Sequence, residues 1–148
     1  MTSDTVPTRY PACFYRVSAK AIILHRGRLL LVRESSKRWD LPGGGVEHYE
    51  DLHKALEREL KEELGLTLIS FDGASVETWF SYDHDPLWDR PNLIIAALVK
   101  IKNKSVVLTV SKEIDCRLFT RNEFLQLPLE KNIEPFRKNL LNKAFGRA

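Results

Sequence analysis

The chain has 148 residues, a formal charge of +3, a hydrophobic fraction of 43% and a charged fraction of 29%, which suits one domain with an ordinary buried core. The mild charge argues against a nucleic-acid binder, which shows a basic stripe, and agrees with a small anionic ligand; no stretch approaches the roughly 18 apolar residues that would suggest a membrane span. Cys13 and Cys116 are its two cysteines, too few for a disulfide scaffold, so reduced thiols in a cytoplasmic protein are expected.

Residues 1–13, with Pro7 and Pro11, read as an N-terminal arm without the apolar stretch of a signal peptide. The domain is expected to occupy residues 14–148. Phe14 to Leu24 is rich in β-favouring residues, His25-Arg26-Gly27-Arg28 reads as a hairpin turn, and Leu29 to Arg33 as the returning strand. Trp39-Asp40-Leu41 is a short extended piece biased by Pro42. Gly43-Gly44-Gly45 is read as irregular loop. Glu50 to Leu64 is the clearest helix, with Gly65 to close it. Leu66 to Tyr82 reads as strands broken near Asp72-Gly73, Leu93 to Ile101 as a buried strand, and Asp115 to Thr120 as another. Asn132 to Phe145 is expected to be a final helix, with Ile133, Phe136, Leu140, Leu141 and Ala144 near one face. This order suggests an α+β domain or a mixed sheet between helices.

The helix carries acids where apolar residues belong. Advancing about 100° per residue puts Leu52, Leu56, Leu60 and Ala55 on one face, the one that should meet the core. Glu59 and Glu63 fall inside that stripe and Glu62 at its edge, whereas Lys54, Glu57 and Lys61 take the solvent side. Residues 50–63 hold six acids against three bases, a net −3 that leaves +6 on the rest of the chain. Burying ionised carboxylates is costly unless something pairs with them. Arg58 compensates part of that charge, and a divalent cation with a taste for hard oxygen ligands, Mg²⁺ or Mn²⁺, is the economical partner for the remainder. The plainer alternative is a solvated acidic helix at a cleft edge. Consecutive glycines just before the helix permit close approach of backbone to a ligand. Their N–H groups suit phosphate and a carbonyl suits a metal, so the loop and the helix together place phosphate and metal side by side.

At this point the residues match a known pattern. The Nudix box reads G-x5-E-x7-R-E-U-x-E-E-x-G-U, with U a bulky apolar residue. Here Gly44 is followed after five residues by Glu50 and, seven residues later, by Arg58-Glu59-Leu60-Lys61-Glu62-Glu63-Leu64-Gly65-Leu66. The chain thus resembles the Nudix hydrolases over residues 44–66, with Trp39-Asp40-Leu41-Pro42-Gly43 similar to the family's lead-in. The resemblance implies a Nudix-type α/β/α sandwich and hydrolysis of a nucleoside diphosphate linked to another moiety: a nucleotide sugar, ADP-ribose, a dinucleoside polyphosphate or a (deoxy)nucleoside triphosphate. It implies metal ligation by Glu59, Glu62 and Glu63 with the Gly43 carbonyl, activation of water by Glu59, and a supporting salt bridge between Glu50 and Arg58. Gly44 and Gly45 are expected to meet substrate phosphates.

Three departures and additions accompany the resemblance. Tyr49 stands where the family often has glycine, which either alters the loop or sets an aromatic ring beside the substrate. Glu113 is similar to a later-loop glutamate that adds a ligand or base in some relatives. Leu118 stands where MutT-like enzymes often carry a base-stacking Trp, which argues against assuming an oxidised-purine triphosphate. Elsewhere, Tyr82 and Trp88 are candidates for stacking on a base, while Trp79 and Phe80 read as core or dimer contacts. Asp83-His84-Asp85 reads as a solvated loop. Arg33, Lys37 and Arg38 read as surface charge, with phosphate contact as the alternative. Neither cysteine has an obvious base partner, so a cysteine nucleophile is not expected. The rival functions are a non-catalytic sensor of the same fold and an isoprenoid diphosphate isomerase. A small-molecule partner, no nucleic acid, no membrane, and a monomer or homodimer complete the expectation.

Overall fold

The structure, a computed structural model, describes residues 15–35, 37–82, 91–102 and 114–146. The expected Glu113, Trp88 and Cys13, and the Asp83-His84-Asp85 stretch, lie outside them.

Eight strands and three α-helices are found among the described residues. They are β1 (Arg16–Ile22), β2 (Leu24–His25), β3 (Arg28–Arg33), β4 (Gly43–Gly45), α1 (Leu52–Leu64), β5 (Leu68–Phe71), β6 (Glu77–Ser81), β7 (Asn92–Ile101), β8 (Asp115–Phe119), α2 (Arg121–Gln126) and α3 (Arg137–Phe145). One sheet has the order β4-β1-β7-β5, with β6 also pairing β7, and the second has the order β2-β3-β8. β1 and β7 run parallel through the centre, Ala19 opposite Ile95. The other pairings are antiparallel, which makes the larger sheet mixed.

Alternation along the central strands divides the core in two. Ala19, Ala21, Ile23, Leu30 and Val32 face α1 and bury Ala55, Leu56, Leu60 and Leu64. Ile22, Leu29 and Leu31 face the other way, onto Phe124 of α2, Leu140 and Ala144 of α3, and Ile133 and Phe136 between them. Helices on both faces of the strands give the α+β sandwich expected from the element order. A side chain of this size contributes about 1.5–3 kcal/mol when fully buried, so Leu56 and Leu60, both fully buried, hold α1 in place against the sheet.

Local chemistry explains the element boundaries. Asp51 caps α1 by accepting from the Lys54 N–H, so the helix begins at Leu52 instead of Glu50. Gly65, at φ 64°, closes it in the left-handed conformation, its N–H bonding back to Lys61. The expected C-terminal helix is shorter than its pattern suggested: Pro135 starts a 3₁₀ turn over Glu134–Phe136, and the α-helix runs from Arg137. α2 was not anticipated, although Thr120 and Glu123 form a capping box readable in the sequence.

The three glycines correct the reading of an irregular loop. Gly43–Gly45 is a short strand paired with β1, Lys20 opposite Gly43 and Ser18 opposite Gly45. It remained hidden because glycine has poor strand propensity. Packing on both sides demands it here. A Cβ on Gly43, whose φ is 134°, would stand 2.0 Å from the Ala19 carbonyl oxygen, and one on Gly45 would stand 2.5 Å from the Arg16 guanidinium.

Candidate active site

Strand β4 brings the glycines against the buried flank of α1, and the acids of the box divide according to their position on the helix. Glu59, whose side chain is 13% exposed, lies over Gly44. Glu63, half-buried, receives a long hydrogen bond from the Gly43 N–H to its Oε2, 3.5 Å. Glu59 and Glu63 form an i,i+4 pair set against the glycine strand, Glu59 over Gly44 and Glu63 at the Gly43 N–H. Burial first, and then the neighbouring Glu59, push the Glu63 carboxyl up to about 8, against the opposing pull of Lys20 and the Gly43 N–H. Glu62 points outward with its side chain 62% exposed, 3.5 Å from Arg58.

Arg58 fixes the geometry. Its Nε and Nη2 donate to the two oxygens of Glu50 at 2.8 Å each, Nη1 donates to Glu59 Oε1 at 2.8 Å, and Nη2 also reaches the Gly45 carbonyl at 3.0 Å. The expected salt bridge between Glu50 and Arg58 is therefore present as a bidentate fork. It holds the Glu50 carboxyl down at about 2, the Arg58 hydrogen bond being the main cause and the Glu47 N–H the next. One guanidinium thus ties the entry loop, the glycine strand and the acidic, strand-facing flank of α1 together.

Among the described residues, no group of three His, Cys, Asp or Glu side chains is arranged to hold a metal ion. Glu59 and Glu63 are brought together, while Glu62 stays at the helix edge that its wheel position indicated. The donor chemistry of the pair nevertheless fits a hard divalent cation. Two half-buried carboxyls one helical turn apart offer hard oxygen donors, and a cation beside them would favour the ionised form of both.

Beside Glu63 and Gly43 opens a cavity of about 230 Å³, also lined by Lys20, Val32, Glu34, Arg38, Asp40, Leu41, Glu130 and Asn132. Lys20 is the buried charged residue here, 6% exposed, with Nζ donating to Asp40 Oδ2 at 2.9 Å and to the Leu41 carbonyl at 3.4 Å. Lys20 is not among the residues expected from the sequence. Its one available signal is a lone charge in the apolar run from Val17 to Leu24. Arg38 donates to the Leu129 carbonyl at 3.0 Å, whereas Arg33 pairs with Asp115 at 2.7 Å and stacks over Trp39.

The remaining candidates scatter. Tyr82 is exposed and stacks on exposed Phe80, which in turn meets Tyr15. Trp79 is core: it stacks on Phe136 with ring centroids 4.0 Å apart. Tyr49 is fully exposed at φ 69°. Leu118 packs toward α1. Cys116 is buried, and burial, followed by Asp115, pushes its thiol up to about 12, which leaves it protonated and a poor nucleophile.

Residues 14–142 match the NUDIX domain. The chain belongs to the NUDIX family. An RNA pyrophosphohydrolase of Acidiphilium cryptum (strain JF-5) is 35% identical over 79 residues, 49% of this chain and 48% of that protein. This NUDIX chain therefore spans about half the length of the curated relatives it matches. The crystal structure of a UDP-X diphosphatase superposes with a TM-score of 0.72 at 19% identity, covering 95% of this chain and 66% of the other. The MutT NUDIX hydrolase from Burkholderia pseudomallei superposes with a TM-score of 0.65 at 23% identity, covering 87% and 97%. These superpositions establish the NUDIX fold. Among the described residues no helix is long and apolar enough to cross a membrane.

Proposed function

We propose that this NUDIX chain hydrolyses the pyrophosphate linkage of a nucleoside diphosphate joined to another moiety, with Mg²⁺ or Mn²⁺ as cofactor. The observation that carries the reading is the half-buried Glu59–Glu63 pair set against the glycine strand, Glu59 over Gly44 and held by Arg58 at 2.8 Å, Glu63 at the Gly43 N–H. Such a pair is costly for a fold to maintain without a cation.

Glu59 and Glu63 would hold the metal, with the Gly43 carbonyl and Glu62 as the further ligands. A bound divalent ion supplies positive charge that lowers the pKa of the attacking water and neutralises the phosphate oxygens. Arg58 keeps Glu59 oriented, and Glu50 keeps Arg58 oriented. Gly44 and Gly45 let the pyrophosphate lie close to the backbone. Water attacks one phosphorus, the bridging P–O bond breaks, and the other phosphoryl group leaves with the bond's electrons. Glu59 takes the proton of the attacking water, and Glu113 is the second candidate for that role. Tyr82 and Trp88 are the candidates for contact with the nucleoside.

Product chromatography on a panel of nucleotide sugars, ADP-ribose, dinucleoside polyphosphates and (deoxy)nucleoside triphosphates with Mg²⁺ tests this. Glu59→Gln and Glu63→Gln should each lower turnover by about 10²-fold or more, by analogy with the loss of one electrostatic group. Undiminished turnover in both variants overturns the assignment. Tight nucleotide binding with no turnover across the panel would favour the sensor.

A further inference from the structure

The hydrolytic reading uses Glu59, Glu63, Arg58 and the glycine strand, and leaves a buried ion pair beside them without a task. Lys20 on β1 is 6% exposed. Its Nζ donates to Asp40 Oδ2 at 2.9 Å and to the Leu41 carbonyl at 3.4 Å. Taking two charges out of water is costly, and replacing a buried pair by apolar residues is often neutral or stabilising. Stability is therefore a weak reason for this pair. Its place beside the proposed cation seat sharpens the question. The charge of Lys20 is felt at Glu63, where it opposes the effect of burial, and an ammonium repels a cation.

The neighbours of the pair show what it holds. Residues 39–42 lead into β4. Asp40 exchanges two backbone hydrogen bonds with Val32 of β3, at 2.8 and 2.9 Å, which ties this lead-in to the smaller sheet. Lys20 ties it to the larger sheet, helped by the Ala21 N–H, which donates to the Pro42 carbonyl at 2.8 Å. The second oxygen of Asp40 accepts from the Leu41 N–H at 2.7 Å. Just beyond stands Gly43, paired with Lys20 itself across the ladder, its N–H reaching Glu63 Oε2 at 3.5 Å. Pro42 lies between Leu41 and Gly43, and its ring fixes φ. A shift of Leu41 therefore passes on to Gly43 and is not absorbed on the way.

We propose that Lys20 is a positioning residue for the divalent cation: with Asp40 it locks the lead-in so that Gly43 is presented to Glu63 as the cation requires. The inference rests on the hydrolase reading, in which Glu63 and the Gly43 carbonyl are ligands. Lys20 acts through residues 40–43 and touches neither cation nor substrate in this role. Asp40 balances its charge, so the strut as a whole is neutral and does not oppose the cation. Partners that orient metal ligands are typically worth about 10–100-fold in metal affinity.

Mn²⁺ binding to the full chain, read from the electron paramagnetic resonance signal of the free ion, tests this. Lys20→Met removes a positive charge near the seat, so charge alone predicts tighter binding. Loss of the strut predicts a Kd raised about tenfold or more. The double variant Lys20→Met/Asp40→Asn removes both charges and leaves their sum unchanged. Charge alone then predicts wild-type affinity, whereas loss of the strut predicts that the weakening persists. The double variant leaves no unpaired carboxylate, and so covers the case in which Lys20→Met fails to fold. A merely structural role would lower the melting temperature and leave the Mn²⁺ affinity of the folded protein unmoved. Binding at wild-type strength or tighter in either variant overturns the proposal. A wild-type chain that binds no Mn²⁺ overturns the cation seat and this inference with it; wild-type binding and hydrolysis, with Mn²⁺ affinity unchanged in both variants, overturns this inference alone.

Discussion

Gly44 and Glu59 compete for the same space: a Cβ at position 44 would stand 2.6 Å from Glu59 Oε1 and 2.8 Å from its Cδ. The close approach of strand and carboxylate that the site needs is therefore written into the absence of a side chain, and neighbouring glycines serve different ends. At Gly44 the obstructing atoms are the far end of a flexible glutamate. At Gly43 they are the backbone of β1.

Two alanine substitutions separate these roles. Gly44→Ala should push Glu59 away from the strand and reduce kcat by about tenfold or more while the melting temperature moves little, because a carboxylate side chain can give way. Gly43→Ala meets the Ala19 carbonyl and a φ of 134°, and should cost about 2 kcal/mol or more of folding stability. Urea denaturation beside steady-state kinetics distinguishes them; equal effects of both substitutions on stability would show that the strand relaxes freely.

Arg58→Gln removes the fork that holds Glu50. The Glu50 carboxyl lies at about 2 in the folded protein against an ordinary value of 4.5, so its contribution to stability is present above about 4.5 and disappears as pH falls toward about 2. The stability difference between wild type and Arg58→Gln should accordingly stay constant from neutral pH down to about 4.5 and narrow below it. Chemical denaturation at a series of pH values reads this directly, and a gap that does not narrow would show that the fork is not what lowers Glu50.

Glu63 has the opposite sign. Its folded carboxyl lies near 8 while the unfolded one titrates near 4.5, so the folded metal-free protein binds the extra proton between those values and loses stability as pH rises through them. In EDTA, Glu63→Gln should match wild type near pH 4.5 and be the more stable of the two at pH 8. Millimolar Mg²⁺ should then raise the wild-type melting temperature at pH 8 and leave that of Glu63→Gln nearly unchanged. A metal response equal in both proteins would remove Glu63 from the ligand set.

Tyr49 holds a left-handed backbone with its ring fully in solvent. That conformation costs a non-glycine residue roughly 1 kcal/mol, which Tyr49→Gly recovers, less the added freedom of the unfolded chain. Thermal denaturation should show a change between zero and about 1 kcal/mol of stabilisation. A loss beyond about 1 kcal/mol would reveal packing by the ring.

The box on α1 was legible because its information is local. The spacing from Gly44 to Leu66 sets the family, and a periodicity argument alone puts Glu59 and Glu63 on the core side and Glu62 at the margin, where the structure has them. The Asp51 cap and the Thr120–Glu123 capping box are equally local, although both went unread. What residues far apart in the chain do together was not legible. Nothing local assigns Lys20 a role; only folding sets it against Asp40, twenty residues on, and beside a cavity that Asn132 also lines. The glycine run looked like loop because its strand pairing depends on β1 and on a helix that removes room for any Cβ. Short-range hydrogen bonds and helical period are encoded in neighbouring residues; enclosed space and the electrostatics of buried charge exist only once distant segments have excluded water from between them.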